Sequence, residues 1–319
     1  MKHNWQITLI LIGMFLATQL IGLLVVYADP LNLEYVNQNG TVVQVQNPAL
    51  SFIQSPEVEN ESDFFSKILP SIIIAFVLAI AFIFLLTKLK AALFIRAWFF
   101  VVVSMVIYIT LIAFLKLIPI EVSLKFAIIF SSIVAIGLAY LKIFKRNIIV
   151  HNLTELMIYP GIAVVFIPLL NIWTIIILLI LISIYDMWAV WHSGFMQKMA
   201  NFQIKELKIF GGFFVPYLNK NQRAQIKLAK IQMKKGKKVK DKKMKVNLAI
   251  LGGGDVVFPI ITAGVVFQTW GLISALFVTL GATIALLLLF TYSQKGKFYP
   301  AMPFITTGLL AGILVAYLI

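Results

Sequence analysis

Two carboxylates stand in apolar surroundings. Asp186 lies in the run Ile172 to Trp191, and Asp255 follows Gly252-Gly253-Gly254 inside the stretch Asn247 to Phe267. Each run is long enough to cross a bilayer, where a lone ionised side chain is costly and is by default functional and partnered. The best partner for each is the other. Close together at low dielectric, two carboxylates cannot both ionise, so they share a proton. The ionised member can then take a proton from water while the neutral one donates to a carbonyl oxygen. That is hydrolysis of a peptide bond without metal or covalent nucleophile.

Depth supports the pairing. Counted back from Trp191, Asp186 lies ~9 Å below the inner interface at 1.5 Å per helical residue, and Asp255 lies ~12 Å in from Asn247. Small residues let backbones and a substrate approach, and consecutive glycines tolerate unusual backbone angles. Plain helix packing is the competing account of Gly252, Gly253 and Gly254. Tyr185 can bring a hydroxyl beside Asp186, although an interfacial tyrosine belt explains it equally. The third element is Phe298-Tyr299-Pro300-Ala301-Met302-Pro303. Its prolines remove backbone donors and resist a regular helix start. Irregular backbone at that depth is tolerated where it lines a cavity, and it suits pairing with an extended substrate strand. An ordinary proline at a helix N-terminus is the alternative.

The composition decides what must carry these groups. Hydrophobic residues make up 61% of the 319 and charged residues only 12%, with a mean hydropathy of +0.98. No ordinary soluble domain has this profile. The expected class is an all-α polytopic membrane protein. With no cysteine, disulfides, thiolate metal sites and cysteine nucleophiles are excluded. The first apolar run, Ile7 to Tyr27, shows no clear cleavage site and reads as a retained helix.

At about 20 apolar residues per span, nine spans fit: 5–27, 66–87, 93–115, 122–141, 154–170, 172–192, 247–267, 270–290 and 299–318. The fifth and sixth meet in a tight reversal at Pro168 to Asn171. An inside N-terminus leaves only Lys67, Lys116 and Lys125 of the 27 basic residues outside. By the positive-inside rule the N-terminus is cytoplasmic and the C-terminus extracytoplasmic. The chain divides into a six-helix part (1–192, with an outer loop at 28–65), a basic cytoplasmic loop (193–246) and a three-helix part (247–319).

In the outer loop, Asn39-Gly40 between alternating residues marks a hairpin within Tyr35 to Val45. In the inner loop, Phe195 to Phe202 reads as an amphipathic surface helix. The lysine run Lys227 to Lys245 reads as a linker held near anionic headgroups. No aromatic residues interleave those lysines to stack bases, so nucleic acid is not an expected partner.

Tyr185-Asp186, then Gly252-Gly253-Gly254-Asp255, then Pro300-Ala301-Met302, on three late spans, resembles the presenilin/signal peptide peptidase family. Those are intramembrane aspartyl proteases marked by YD, GxGD and PAL motifs. The resemblance covers mainly Ile172 to Ile319. It implies that Asp186 and Asp255 are catalytic and that Pro300, Ala301 and Met302 line the substrate site. Tyr185 and the glycines are expected to shape that site. Met302 stands where the family usually has leucine, a volume-conserving change. Pro48-Ala49-Leu50 matches the PAL letters better, but it lies in the outer loop, far from the pair.

The charge distribution gives the presenilin-like orientation, opposite to that of signal peptide peptidases. Transmembrane-helix substrates entering with their N-termini outside are the implied partners. The compact, lysine- and isoleucine-rich chain looks like a microbial, archaeal homologue in a prokaryotic plasma membrane, acting without obligatory partner subunits. No cofactor or metal is expected, since there is no His-Glu-x-x-His motif and only His3, His151 and His192 are present. His192-Ser193 does not form a rhomboid-like motif, because Trp191 replaces its first glycine. The rival from another class is a proton- or cation-coupled transporter, in which buried aspartates act as relays. Transporters commonly repeat their broken helices in both halves; here the unusual features all follow Ile172.

Overall fold

A computed structural model describes residues 5–37, 41–53, 64–88, 92–119, 122–145, 147–191, 211–217, 247–294 and 299–319. Nine α-helices occur among them: α1 (Trp5–Tyr27), α2 (Leu69–Lys88), α3 (Ala92–Leu117), α4 (Leu124–Phe144), α5 (Ile148–Phe166), α6 (Ile172–Trp191), α7 (Gly253–Trp270), α8 (Leu272–Tyr292) and α9 (Met302–Leu318). Six of these regions (α1, α3, α4, α5, α6 and α8) are long and apolar enough to cross a membrane. Two short antiparallel sheets complete the fold, β1 (Asn32–Val36) with β2 (Val42–Gln46), and β3 (Gly212–Tyr217) with β4 (Asn247–Gly252).

Sequence signals explain most boundaries. Ser123 and Asn147 cap α4 and α5 by accepting from Phe126 N and Ile149 N, which satisfies otherwise orphaned amides. Asn171 and Thr174 exchange side-chain to backbone bonds of 2.8 Å each way, a capping box that restarts the chain as α6 after the turn at Ile167–Leu169. Gly271, at φ 86, ends α7 and turns directly into α8, a conformation that glycine adopts without a Cβ clash.

The helices present aliphatic residues on all sides, so small residues decide where backbones meet. The tightest seam lies between α8 and α9. A Cβ on Gly281 would strike the Gly308 carbonyl, one on Gly308 would strike the Gly281 carbonyl, and one on Gly312 would come within 2.6 Å of Val278 Cα. Likewise, a Cβ on Gly22 of α1 would enter Ile260 of α7. One continuous core of buried residues runs from Leu11 and Phe15 of α1 through Leu179 of α6 and Ile260 of α7 to Leu309 of α9.

The hairpin expected within Tyr35 to Val45 is present, pairing Val36 with Val42 and Asn32 with Gln46; its Asn39-Gly40 turn lies outside the described residues. Lys116, at the end of α3, fastens it by donating to the carbonyls of Asp29 and Asn32 at 2.8 and 2.7 Å. Pro48–Leu50 forms a capped turn in which Leu50 is fully buried, and Tyr108 donates to the Ala49 carbonyl. Those three residues are structural.

Two expectations fail. The stretch 247–252 is a strand, and its helix begins only at Gly253. Leu248 to Leu251 is apolar at every position, so no period favours helix there, and a strand partner is available in Gly212–Tyr217. The depth of Asp255 counted along a helix from Asn247 therefore does not apply. The fifth helix begins at Ile148, six residues before the expected start, because buried partners accommodate its polar first turns. Phe195 to Phe202, the lysine run Lys227 to Lys245, and His192-Ser193 lie outside the described residues.

Candidate active site

Asp186 sits on the buried face of α6, 6% exposed. Its Oδ2 accepts the backbone N–H of Met302 at 3.0 Å. That amide is free because Met302 begins α9, and the first amides of a helix have no partner within it. The motif around Pro300 thus supplies a donor at the first residue of α9. One turn away, Ser183 and Thr306 share a hydrogen bond of 2.7 Å, and Thr306 also reaches the Leu179 carbonyl at 3.5 Å, so further bonds join α6 to α9. Pro300 is buried and Ala301 half-buried, while Phe298 lies outside the described residues. Tyr185 is half-buried beside Trp188, within electrostatic reach of Asp186.

Asp255 arrives by another route. Gly252 closes β4 and caps α7, which puts Asp255 at the third helical position. A carboxylate there reaches back to the amide of the cap residue, one half of a capping box, and the Gly252 N–H does face the Asp255 carboxylate. A Cβ on Gly252 would stand 3.0 Å from Asp255 Oδ2, and one on Gly253 would stand 2.9 Å from the Tyr159 hydroxyl. A Cβ on Gly254 would meet nothing nearer than Phe258 at 3.9 Å. A side chain at Gly252 would thus crowd the Asp255 carboxylate and one at Gly253 the Tyr159 hydroxyl, while Gly254 is exposed. Asp186 and Asp255 lie within electrostatic reach of one another.

The strand before Asp255 has a defined register. Phe213 pairs with Leu251 and Val215 with Ala249, and these four side chains point into the core. Residues alternate along a strand, and Gly253 N continues the ladder by donating to the Gly211 carbonyl. The odd-numbered residues of both strands therefore bond across the sheet. The even-numbered backbone groups of β4, on Leu248 and Ile250, face away from β3. Among the described residues they meet no partner.

The family model for signal-peptide peptidase, presenilin aspartyl protease, matches residues 40–319. The chain belongs to this family. Two solved structures of a presenilin family intramembrane aspartate protease, in different crystal forms, share its fold. One has 17% identity and a TM-score of 0.56, covering 98% of both chains. The other has 18% identity and a TM-score of 0.58, covering 99% of both. No curated protein matches. This presenilin-family chain is an integral multi-pass membrane protein and an aspartic endopeptidase.

Several polar groups around this presenilin-family site escape a reading by motif. Gln19 of α1 is completely buried and donates to the carbonyl of Val256, next to Asp255, at 3.0 Å. Lys142 and Glu155 form a buried ion pair at 2.6 Å, so Lys142 is no free interfacial cation. The strand Gly212–Tyr217 was also missed. Its signal is a brief Gly-Phe-Phe-Val run after the amphipathic stretch, too short to stand out beside a lysine-rich loop.

Proposed function

We propose that this chain cleaves peptide bonds within transmembrane helices, with Asp186 and Asp255 as the acid/base pair. The observation that carries this reading is the anchoring of the two carboxylates by different backbones, Asp186 on the Met302 amide and Asp255 at the start of α7, within electrostatic reach of each other. One carboxylate takes a proton from water as the water oxygen bonds to the carbonyl carbon. The other, protonated, donates to the carbonyl oxygen. Collapse of the tetrahedral intermediate returns that proton to the pair, breaks the C–N bond and delivers a proton to the leaving nitrogen.

A peptide in helical form hides its carbonyls from a nucleophile, so the scissile segment must be extended. The outward edge of β4 at Leu248 and Ile250 suits such a strand by β-addition, and it leads straight to Asp255. The nine helices are read as spans with the N-terminus cytoplasmic, which puts β3 and β4 on the cytoplasmic side. Asp186 and Asp255, with Tyr185, Gly252, Gly253, Gly254, Pro300, Ala301 and Met302, form the site, with transmembrane helices as substrates. The relay function of a transporter gains no support from the family match.

The test is incubation of the purified protein with a single-span peptide, with and without a transition-state-analogue aspartyl inhibitor, read by mass spectrometry. Inhibitor-sensitive cuts inside the apolar segment are expected. Cuts that persist unchanged in Asp255→Asn would sink the reading.

A further inference from the structure

Helix α5 carries a column of polar residues that the proposed chemistry does not use. His151 Nε2 lies 2.8 Å from the Gly212 carbonyl, and Glu155 Oε1 accepts the Gly212 N–H at 3.3 Å. Asn152 takes both groups of Phe214, donating to its carbonyl at 2.8 Å and accepting its N–H at 3.0 Å. Gly212 and Phe214 are the even-numbered positions of β3, whose backbone faces away from β4 in this register. The next such position is Pro216, which has no N–H to offer. Every outward donor of β3 is thus either satisfied or absent.

Behind this contact, Lys142 of α4 holds the column in place. Its Nζ donates to Glu155 Oε1 at 2.6 Å and lies 3.3 Å from His151 Nδ1. A neutral His151 with its proton on Nε2 meets both neighbours, donating to Gly212 and accepting from Lys142; this tautomer is assigned from the network. One turn further along the same helix face, the Tyr159 hydroxyl lies beneath Gly253. The column His151, Glu155, Tyr159 therefore follows the sheet to the start of α7.

We propose that α5 serves as a fixed third strand for the β3–β4 pair, with His151, Asn152, Glu155 and Lys142 as positioning residues. By closing the outer edge of β3 they leave β4 as the edge a substrate joins, and they hold Gly252 and Asp255 in line with Asp186. The inference rests on the catalytic reading of Asp255 for its consequence, but the edge closure itself does not.

Substitutions at His151 separate hydrogen bonding from packing, because its ring also lies against Phe214 with centroids 4.8 Å apart. His151→Phe keeps the ring and loses the donor; His151→Gln keeps a donor and loses the ring. Asn152→Ala removes both bonds to Phe214. Each is measured in the full-length protein in detergent by amide hydrogen exchange at Gly212, Phe214, Ala249 and Leu251, and by peptide cleavage.

Asn152→Ala and His151→Phe are expected to speed exchange in β3 and β4 and to lower kcat about tenfold, as loss of one or two net hydrogen bonds allows, with KM within about twofold. His151→Gln should stay near wild type in both. A reversed order, with Phe harmless and Gln damaging, would make the column mere packing and overturn the proposal. So would unchanged exchange at Ala249 and Leu251 in Asn152→Ala. If Asn152→Ala does not fold, the His151 pair decides alone. Exchange is also read in Asp255→Asn, where no cleavage is needed, so failure of the dyad reading and failure of edge closure are told apart.

Discussion

Gln19, midway along α1, holds the carbonyl of Val256 through its Nε2, a bond that spans 237 positions of sequence. Its own carbonyl oxygen, Oε1, is buried and has no hydrogen-bond partner among the described residues. The support is local to a weak point. Pro259 lies inside α7 and offers no N–H to the carbonyl of Asp255 four residues earlier.

Gln19→Leu should therefore separate stability from turnover. Val256 retains its helical partner, and an unsatisfied buried oxygen disappears, so the unfolding midpoint should hold or rise by the equivalent of about 1 kcal/mol. Cleavage should fall several-fold as the first turn of α7 loosens. Parallel loss of stability and activity in detergent unfolding and peptide assays would count against this account.

Asp186→Asn and Asp255→Asn should each lower cleavage by about a hundredfold or more, with the fold preserved. An asparagine oxygen at position 186 still accepts the Met302 amide, and one at position 255 can still face Gly252. Circular dichroism and gel filtration check the fold. In the wild type, a pair that works with one proton should give a bell-shaped pH–rate profile with two apparent values belonging to the pair. A flat profile across the acidic and neutral range would argue against a shared proton.

The three glycines should differ. Gly253→Ala meets Tyr159 at 2.9 and 3.1 Å and should destabilise the protein by about 1–3 kcal/mol through overpacking. Gly254→Ala has space around it, so it should leave the unfolding midpoint near wild type. Any loss of cleavage it causes is then a matter of substrate approach. Thermal unfolding of both variants beside kcat and KM tests this; equal destabilisation would refute the distinction.

Gly308→Ala should disturb the α8–α9 seam, because its new methyl meets the Gly281 carbonyl directly and Ala285 Cβ at 2.5 Å. Loss of about 1–3 kcal/mol is expected. The shift of α9 should carry the Met302 amide with it and weaken binding of a transition-state analogue. Unaltered inhibitor affinity would show that the seam does not reach the site.

Lys142→Met should cost about 3–5 kcal/mol, since it strands the Glu155 charge in the interior. Pairing it with Glu155→Gln, which keeps an oxygen for Gly212, should recover most of that loss. Chemical unfolding of the single and double variants provides the comparison, and additive losses would mean the ion pair is not the reason for the cost.

The helices and the two aspartates were legible in the sequence because bilayer crossing imposes a length and a hydropathy that few other structures share. The pairing of Asp186 with the start of α9 was legible only as a motif; the Met302 amide as its donor became visible with the backbone. The strand at 247–252 was hidden because Leu248 to Leu251 is apolar at every position, so no period distinguished strand from helix. Its partner at Gly212–Tyr217 lies far off in sequence, and long-range pairing leaves no local trace. Asn152 and Glu155 belong to no motif, and each bonds a backbone group of that same hidden strand.

Gly252 belongs at once to the end of β4 and to the beginning of α7. Two incompatible rhythms meet at this residue, one repeating every second position and the other about every 3.6. Adding one residue to β4 would turn its apolar side chains outward. Adding two would restore that facing, yet push the start of the following helix about 7 Å along the strand. The short segment from Asn247 to Asp255 is therefore intolerant of any change in length.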